Sequence, residues 1–425
     1  MPTSIASKRS PDRESHEALG SSIPDLSTHP ISPPSDEIDE KMERKLTAIV
    51  ERPFREDLKL GTSYFVWRVL QSLFSPDELR YYKYRGLINL ALNALTSVPR
   101  FPRESWNAFL WQVVGLRKRV EISQLLRLDY FLHVGWTIQI SCSYRCKICP
   151  QKSYFKKNVE TILPFKLADK YLTEIARFGY PLIGSYVGEP LMWPYFLDMV
   201  KKHKHLFFVS GTNGQFVPDH IEEISKVHNL LLFVTIEGGP DTMAHMRRPG
   251  AYDIAERAIR LLKKHKKPFG VIVPVSGANF DEVMDMKFIK RQVYDRGATF
   301  YCYSPYIGFD DRYSLNDRQE KAVGKQICEF QSTLQGARSV CLDYMRGFNS
   351  TNLGNFYDFK QHCMEIDPTG DIHLIANQQQ FRLGNIGEET LVRMLSKKRT
   401  LEWIKSNVPR DHLGMNKLTL GHWLQ

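Results

Sequence analysis

The chain has 425 residues, 42% of them hydrophobic, and a formal net charge of +11 at pH 7. This length predicts a globular, enzyme-sized protein of two or three domains, although a barrel can use about 250 residues alone. Seven cysteines, an odd number, argue against a secreted disulfide framework. Because an apolar run of about 18 residues and a signal-peptide core are both missing, we expect a cytoplasmic protein in a reducing compartment.

The positive charge is spread over short runs along the chain, which are Arg117–Arg119, Lys201–His205, Lys263–Lys267 and Lys397–Arg399. At least two of the runs end predicted helices, where cations are stabilised by the negative end of the helix dipole. Solvated helix ends are therefore the simpler interpretation. A track that binds the phosphates of a nucleic acid is the alternative.

The first part of the chain divides into a tail and a helical region. Residues 1–45 are rich in Ser, Pro, Asp and Glu, which predicts a disordered tail. In residues 46–130, apolar residues at helical spacing predict a helix from Ser63 to Phe74, and a capping box at Ser75 predicts a second helix to about Leu95. A third predicted helix, Trp106 to Leu126, is expected to turn four side chains inward: Phe109, Leu110, Val113 and Val114.

These helices have three possible roles: a substrate-binding module, a cap packed on the core, or an amphipathic element at a membrane surface. Apolar stripes at helical spacing usually face a protein core. The sequence therefore favours a packed cap, while a membrane surface stays open as a partner.

From residue 131 to 325 the pattern alternates between strands and helices. The predicted strands are His133–Ile140, Leu182–Val187, Leu206–Ser210, Leu230–Ile236, Phe269–Val275 and Ala298–Tyr303. The predicted helices between them are Lys166–Arg177, Tyr195–Lys202, Ile221–Val227, Tyr252–Lys264 and Asp281–Tyr294. Such alternation predicts an α/β fold with a parallel sheet and right-handed crossovers. We expect the chemistry at the carboxyl ends of the strands.

Three cysteines follow the first predicted strand in the run Cys142-Ser-Tyr-Arg-Cys146-Lys-Ile-Cys149. Thiolates this close together bind a metal, form a disulfide or sit as unrelated thiols. Zinc usually takes four protein ligands in a structural site, often from two separated Cys-x2-Cys pairs, and the sequence has no second pair of this kind. Three cysteines can instead hold an iron–sulfur cluster with one open iron, and the sequence favours this 4Fe-4S cluster over zinc.

This cysteine run resembles the signature loop of the radical S-adenosylmethionine superfamily, with Ile148 at a position that is usually aromatic. The resemblance implies that the open iron binds S-adenosylmethionine and that the fold is a partial (β/α)6 TIM-like barrel. It also implies cofactor contacts at the ends of the later strands. Those candidates are Gly188, Glu189 and Pro190 after strand two, Thr212 and Asn213 after strand three, Thr235, Glu237 and Arg247 after strand four, with Arg248 as a substitute for Arg247, and Asn279 after strand five.

Residues 326–425 are predicted to form a small α+β carboxyl-terminal extension. The run from Cys363 to His373 reads as two short strands around a Pro-Thr-Gly-Asp turn. The run Leu383–Ile386 and a predicted helix from Glu389 to Leu395 follow it. The segment resembles the SPASM or twitch extension of many radical S-adenosylmethionine enzymes, which usually carries auxiliary clusters. The cysteine expected after the second strand is Ile375 here. A single auxiliary cluster held by Cys302, Cys328, Cys341 and Cys363 is the alternative to a degenerate extension.

The resemblance implies an enzyme in which the cluster cleaves S-adenosylmethionine to a 5′-deoxyadenosyl radical that abstracts hydrogen from a substrate carbon. The implied partners are a small-molecule or peptide substrate and an external electron donor of the flavodoxin or ferredoxin type. Natural products, sugars and peptides all stay open as substrates. The alternatives are an RNA-modifying radical enzyme, acting on tRNA for example, and a zinc-stabilised nucleic-acid-binding protein.

Overall fold

The protein is described here by a computed structural model. The structure describes residues 36–73, 103–127, 133–138, 141–149, 162–180, 182–185, 188–306, 310–319, 322–323, 326, 340–343, 363–376 and 379–407. All of them belong to one compact unit, which begins at Asp36. The predicted helix from Ser75 to Leu95 lies outside these residues.

Ten strands form one sheet, and helices alternate with the central strands. The strands are β1 His133–Trp136, β2 Leu182–Ser185, β3 Phe207–Thr212, β4 Leu230–Thr235, β5 Phe269–Val275, β6 Phe300–Pro305, β7 Val340–Asp343, β8 Cys363–Ile366, β9 Asp371–Ala376 and β10 Gln379–Asn385. The helices before the sheet are α1 Glu40–Val50, α2 Phe54–Leu73 and α3 Arg103–Leu125. Those that follow are α4 Phe165–Arg177, α5 Phe196–Lys202, α6 Val217–Lys226, α7 Pro240–Met246, α8 Ala251–Lys264, α9 Phe280–Val283, α10 Met286–Lys290, α11 Leu391–Leu395 and α12 Lys398–Asn407, with a π-helical turn at Arg291–Asp295.

Strands β1 to β6 lie side by side in chain order and are all parallel, as the predicted (β/α)6 barrel requires. Each begins within two residues of its predicted start. The sheet is open and continues past both edges, with β7 parallel to β6. The α/β fold class is therefore confirmed.

The carboxyl-terminal strands extend this sheet. The predicted hairpin is present as β8 and β9, which pair antiparallel, and β10 pairs with β9. Strand β8 is parallel to β1, with Cys363 opposite His133 and Ile366 opposite Trp136. The strands predicted for the extension are thus part of the barrel's sheet, because β1 would otherwise leave an unpaired edge. The domain boundary at residues 325 and 326 stays a prediction.

The main core lies between the sheet and its helices. Trp136 on β1 is fully buried, and its ring lies 5.5 Å from that of Trp193 and 5.4 Å from that of Phe208. Alternate residues of β3, β4 and β6 face the other side of the sheet, where Phe207, Leu231, Phe233 and Cys302 form a second apolar cluster. Both faces of these strands are therefore buried, as is usual for parallel sheets.

The amino-terminal helices pack on this core, as the packed-cap interpretation predicts. Leu46 of α1 and Val113, Leu116 and Val120 of α3 are buried. Two expectations are wrong. Helix α1 begins at Glu40, inside the predicted disordered tail, where Asp39 caps it by accepting from the Met42 amide at 2.9 Å. Leu110 is 56% exposed and does not point inward.

The basic runs differ in their surroundings. Lys201 and Lys202 lie in the last turn of α5, and Lys263 and Lys264 in the last turn of α8, as expected for cations at helix ends. The run at Arg117 is different, because Lys118 is buried in an ion pair with Asp57 at 2.6 Å and Arg119 is buried against the carbonyl of Gly179. This run belongs to the core of the helical layer. Among the described residues, no helix is long and apolar enough to cross a membrane.

Close packing of α2 on α3 depends on a glycine. A Cβ at Gly61 would lie 2.2 Å from the carbonyl oxygen of Val113. We expect Gly61→Ala to lower the free energy of unfolding by about 1–3 kcal/mol, because overpacking forces the two helices apart. Thermal unfolding followed by circular dichroism measures the loss. Exposed Ser63→Ala on the same helix is the control, and a similar melting temperature for both variants would contradict the prediction.

Candidate cofactor-binding site at the carboxyl edge of the sheet

The three clustered cysteines lie on a loop that follows β1 at the carboxyl edge of the sheet. Cys142, Cys146 and Cys149 are half-buried, and none of the three forms a disulfide. Backbone hydrogen bonds hold the loop at both ends: the Glu189 amide donates to the Ser141 carbonyl at 3.1 Å, and the Lys147 amide donates to the Met246 carbonyl at 2.8 Å. The loop is therefore fixed between the turn that follows β2 and the end of helix α7.

Burial disfavours the thiolate form of two of these cysteines. Burial raises the pKa of the Cys142 thiol, and raises that of Cys146 to about 11. Thiolates here consequently need a cationic metal centre to stabilise their charge.

Glu189 connects the end of β2 to the end of β3. Its side chain is 1% exposed and accepts from the Thr212 hydroxyl and the Asn213 amide, each at 2.8 Å. Burial raises the pKa of Glu189 to about 7, against the opposing effect of these hydrogen bonds. Next to it, Gly188 has a φ of 73°, which favours glycine, and buried Pro190 begins a 3-10 turn.

Asn213 extends this connection to the cysteine loop. Its side-chain amide donates to the Ser143 hydroxyl at 3.2 Å and approaches the Cys142 sulfur at 3.7 Å. The hydroxyl of buried Thr235, at the end of β4, donates to the Thr212 carbonyl at 3.2 Å. A chain of hydrogen bonds thus joins the ends of β2, β3 and β4 to the loop.

Glu237 and Arg247 form a buried ion pair beside this chain. The Arg247 guanidinium donates to Glu237 Oε1 at 2.9 Å, and their side chains are 10% and 1% exposed. Burial disfavours the charged guanidinium, but Glu237, Cys146 and Tyr144 together outweigh this effect, and the pKa of Arg247 is raised. Glu237 Oε2 and Arg247 Nε are buried without a hydrogen-bond partner. The pair therefore offers one hydrogen-bond acceptor, on Glu237, and one donor, on Arg247, to a ligand.

Two of the candidate residues have other roles in this structure. The Asn279 side chain is fully used, because it donates to the carbonyls of Glu237 and Pro274 and accepts from the amide and hydroxyl of Ser276. It shapes the loop after β5 and offers no further group to a ribose. Arg248 cannot substitute for Arg247, because it is exposed and its guanidinium lies 4.9 Å from the ring centroid of Tyr144.

Sequence reasoning missed several residues of the site. Ser141 and Ser143 hold the loop through the contacts given above. Tyr144 is buried within the loop, and its amide donates to the Cys142 sulfur at 3.4 Å. The sulfur of Met243 on α7 accepts from the Glu237 amide at 3.1 Å. The sequence carries no signal for such contacts, since they depend on which loops meet.

The remaining cysteines are not seen to assemble. Cys302 is 2% exposed and packs among apolar side chains. Cys328 lies outside the described residues, and only the backbones of Cys341 and Cys363 are described. Cys302 therefore acts as a small hydrophobic residue of the core. The auxiliary cluster stays a prediction that nothing in the described part of the chain supports.

The chain is similar in sequence to known proteins. Residues 136–289 match the family model of the radical SAM superfamily. The AdoMet-dependent heme synthase of Methanosarcina barkeri (strain Fusaro / DSM 804) is 26% identical over 155 residues, which are 35% of this chain and 44% of that protein. The chain thus aligns with less than half of that relative.

Solved structures show the same fold. AnSMEcpe with bound AdoMet has a TM-score of 0.53 at 18% identity, over 64% of this chain and 83% of that one. Streptococcus suis SuiB bound to S-adenosylmethionine also has a TM-score of 0.53, at 14% identity, over 77% of this chain and 80% of that one.

The raised pKa of Glu189 makes the stability of the fold pH-dependent. Since the folded carboxyl holds its proton more tightly than the unfolded one, the free energy of unfolding should fall as pH rises from about 4.5 to 7, by roughly 3 kcal/mol at most. Glu189→Gln should flatten this decline. Melting temperatures of both proteins, measured from about pH 4 to about pH 8, give the difference across this window. Parallel curves would contradict the prediction.

Proposed function

We propose that this protein is a radical SAM enzyme, since residues 136–289 match the model of that superfamily. In this proposal Cys142, Cys146 and Cys149 bind a 4Fe-4S cluster, and S-adenosylmethionine binds beside it. When bound, these groups supply one-electron cleavage of the cofactor to a 5′-deoxyadenosyl radical, which abstracts hydrogen from a substrate carbon. The observation that carries the proposal is the cysteine loop, fixed at the carboxyl edge by Glu189 and Asn213. A cytoplasmic location stays a prediction.

The groups near the loop match the polar groups of S-adenosylmethionine. The unpartnered Glu237 Oε2 can accept from an ammonium or hydroxyl group, and the unpartnered Arg247 Nε can donate to a carboxylate. A buried polar atom left without a partner is costly, so a ligand carrying both kinds of group would be stabilised here. Gly188, Glu189, Pro190, Thr212, Asn213 and Thr235 would shape the wall of the same site.

Glu189 acts mainly by positioning. Its carboxylate holds the Thr212 hydroxyl and the Asn213 amide, so that the turn after β3 stays against the cysteine loop. Asn279 similarly holds the Glu237 carbonyl at 2.8 Å. These internal bonds keep the strand ends in place before a ligand arrives, which lowers the entropy cost of binding. They also exclude water from the buried part of the site.

For the substrate we propose a peptide or a small molecule. Two of the similar structures contain peptides, namely anSMEcpe with the Cp18Cys peptide, at a TM-score of 0.52, and SuiB with its precursor peptide SuiA, at a TM-score of 0.50. The relative from Methanosarcina barkeri is a heme synthase. These neighbours support both substrate classes.

The cluster ligands are tested by substitution. Anaerobic reconstitution of the parent protein should give iron and acid-labile sulfide, with release of 5′-deoxyadenosine after chemical reduction. Cys146→Ala should lose both, because a cluster held by two thiolates dissociates. Cys302→Ala is the control: it should keep the cluster and lose only about 1 kcal/mol of stability. Stoichiometric zinc without sulfide in the parent protein would favour a zinc site instead.

The role of Arg247 is tested by a substitution that keeps its charge. Arg247→Lys preserves a cation beside Glu237 but removes the second donor of the guanidinium. We expect the affinity of the reconstituted protein for S-adenosylmethionine to fall by roughly tenfold, which corresponds to about one charge-assisted hydrogen bond. Equilibrium dialysis measures this affinity. Arg248→Lys should bind as the parent does, and an equal loss in both variants would refute the assignment.

A further inference from the structure

The face of the sheet that carries the second apolar cluster, which we call the second face, also carries a carboxyl group. Glu365 on β8 lies opposite Gly135 of β1, and Gly135 lies opposite Gly184 of β2. Gly184 in turn lies opposite Val209 of β3, which packs against the second apolar cluster. Residues that pair across a sheet point to the same face, so Glu365 shares its face with that cluster.

The arrangement of this row leaves space beside the carboxyl group. Gly135 and Gly184 separate Glu365 from Val209 and contribute no side chain to the row. Glu365 is half-buried, yet burial raises the pKa of its carboxyl group. A group that is desolvated by its neighbours while part of its surface stays accessible lies in a concave part of the protein. These features indicate a recess beside Glu365, with the two glycines as its floor.

The recess lies at the carboxyl edge of the sheet. Thr137 directly follows β1, and its amide donates to the Ile366 carbonyl at 2.8 Å, so the pairing of β1 with β8 continues to the strand ends. The Thr137 hydroxyl donates to Glu365 Oε1. From Thr137 the chain continues through Ile138 to the loop that begins before Cys142. Glu365 is therefore at the same edge as the cysteine loop.

A second carboxyl group and an imidazole lie next to Glu365. His373 on β9 is opposite Glu365, and its Nε2 lies 3.1 Å from Asp367 Oδ2. Asp367 is fixed by the amide and the hydroxyl of Thr369, at 2.8 and 2.6 Å. Burial is the main cause of the raised pKa of Glu365, and the charge of Asp367 adds to it. The Thr137 hydrogen bond and His373 oppose the increase.

A cationic group would complete this arrangement. Among the described residues, no lysine or arginine is bonded to Glu365. Arg382 lies opposite His373 on β10, but its guanidinium donates to both carboxylate oxygens of Asp371, at 2.6 and 2.8 Å. A carboxylate can accept several hydrogen bonds, and Thr137 supplies one. An ammonium group bound to Glu365 would offset both its desolvation and the repulsion from Asp367.

We propose that Glu365 binds a protonated amine of the substrate, while an apolar part of the same molecule lies along the second face. The inference rests on the proposed function and narrows its substrate class. Val209 and Ile272 are half-buried on the second face and offer apolar contacts. Thr137 orients the carboxyl group through its hydroxyl. The step is one of binding only, and no bond is made or broken in it.

The experiment compares Glu365→Gln with Glu388→Gln in the anaerobically reconstituted protein. Glutamine keeps the size of the side chain and can still accept from Thr137, but it carries no charge. Glu388 is exposed, so its variant is a control for the same loss of charge. S-adenosylmethionine is present in every sample so that its own site is occupied.

The probes are hexylammonium chloride, hexanol and sodium hexanoate, which share a chain length and differ in the charge of the head group. Ligand-observed NMR titrations measure their affinities, and circular dichroism measures the melting temperature of each variant. We expect the parent protein to bind hexylammonium roughly tenfold more tightly than hexanol, which corresponds to about one charge-assisted hydrogen bond. Hexanoate should bind most weakly.

Glu365→Gln should lose the preference for hexylammonium, and Glu388→Gln should keep it. A purely structural acid would not produce this difference, because Glu365→Gln retains the bond from Thr137. The proposal is overturned if the parent protein shows no preference for the ammonium group, if Glu365→Gln keeps it, or if both variants lose it equally.

Two further arms separate the possible failures. If Glu365→Gln melts far below the parent protein, Gly184→Val is measured in its place, because it fills the recess and leaves Glu365 intact. Loss of hexylammonium binding then supports the proposal, and binding at the parent level overturns it. If the parent protein releases no 5′-deoxyadenosine after chemical reduction, the proposed function fails, whereas the probes still show whether Glu365 recognises an ammonium group. Release of 5′-deoxyadenosine without any preference for hexylammonium overturns this inference alone.

Discussion

The site depends on the buried carboxyl group of Glu189. This group lies where β2 ends and holds the turn that follows β3, and its own amide holds the first residue of the cysteine loop. Parallel strands bring their carboxyl ends to one edge, but the loops beyond them need specific bonds to keep a fixed arrangement. A buried acid that accepts several hydrogen bonds provides such bonds. Its burial also raises its pKa.

Two sides of the cysteine loop carry different chemistry. The inner side contacts Asn213 and lies near the Glu237–Arg247 pair. In that pair, Glu237 Oε2 and Arg247 Nε are buried without a hydrogen-bond partner. The outer side carries the exposed side chains of Arg145 and Lys147. This separation follows from the loop's position at the edge of the sheet.

The amino-terminal helices and the carboxyl-terminal strands support the barrel from different positions. Helices α1 and α3 contribute to the core, and a buried ion pair of Lys118 with Asp57 links α3 to α2. Strands β8 to β10 cover the β1 edge, directly before the cysteine loop. The strand that leads into the site is therefore paired on both sides, which limits fraying where the loop begins.

The sequence alone determined the order of the strands, the place of the cysteine loop and the edge at which the site lies. Hydrophobic periodicity and the spacing of Cys142, Cys146 and Cys149 are local properties, so they can be read along the chain. The tertiary structure decided which side chains meet. It paired Arg247 with Glu237, used all the polar atoms of Asn279, exposed Leu110, buried Lys118 and joined β8 to β1. These outcomes depend on contacts between residues far apart in sequence, whose partners are selected only when the core packs and buried polar groups must be satisfied.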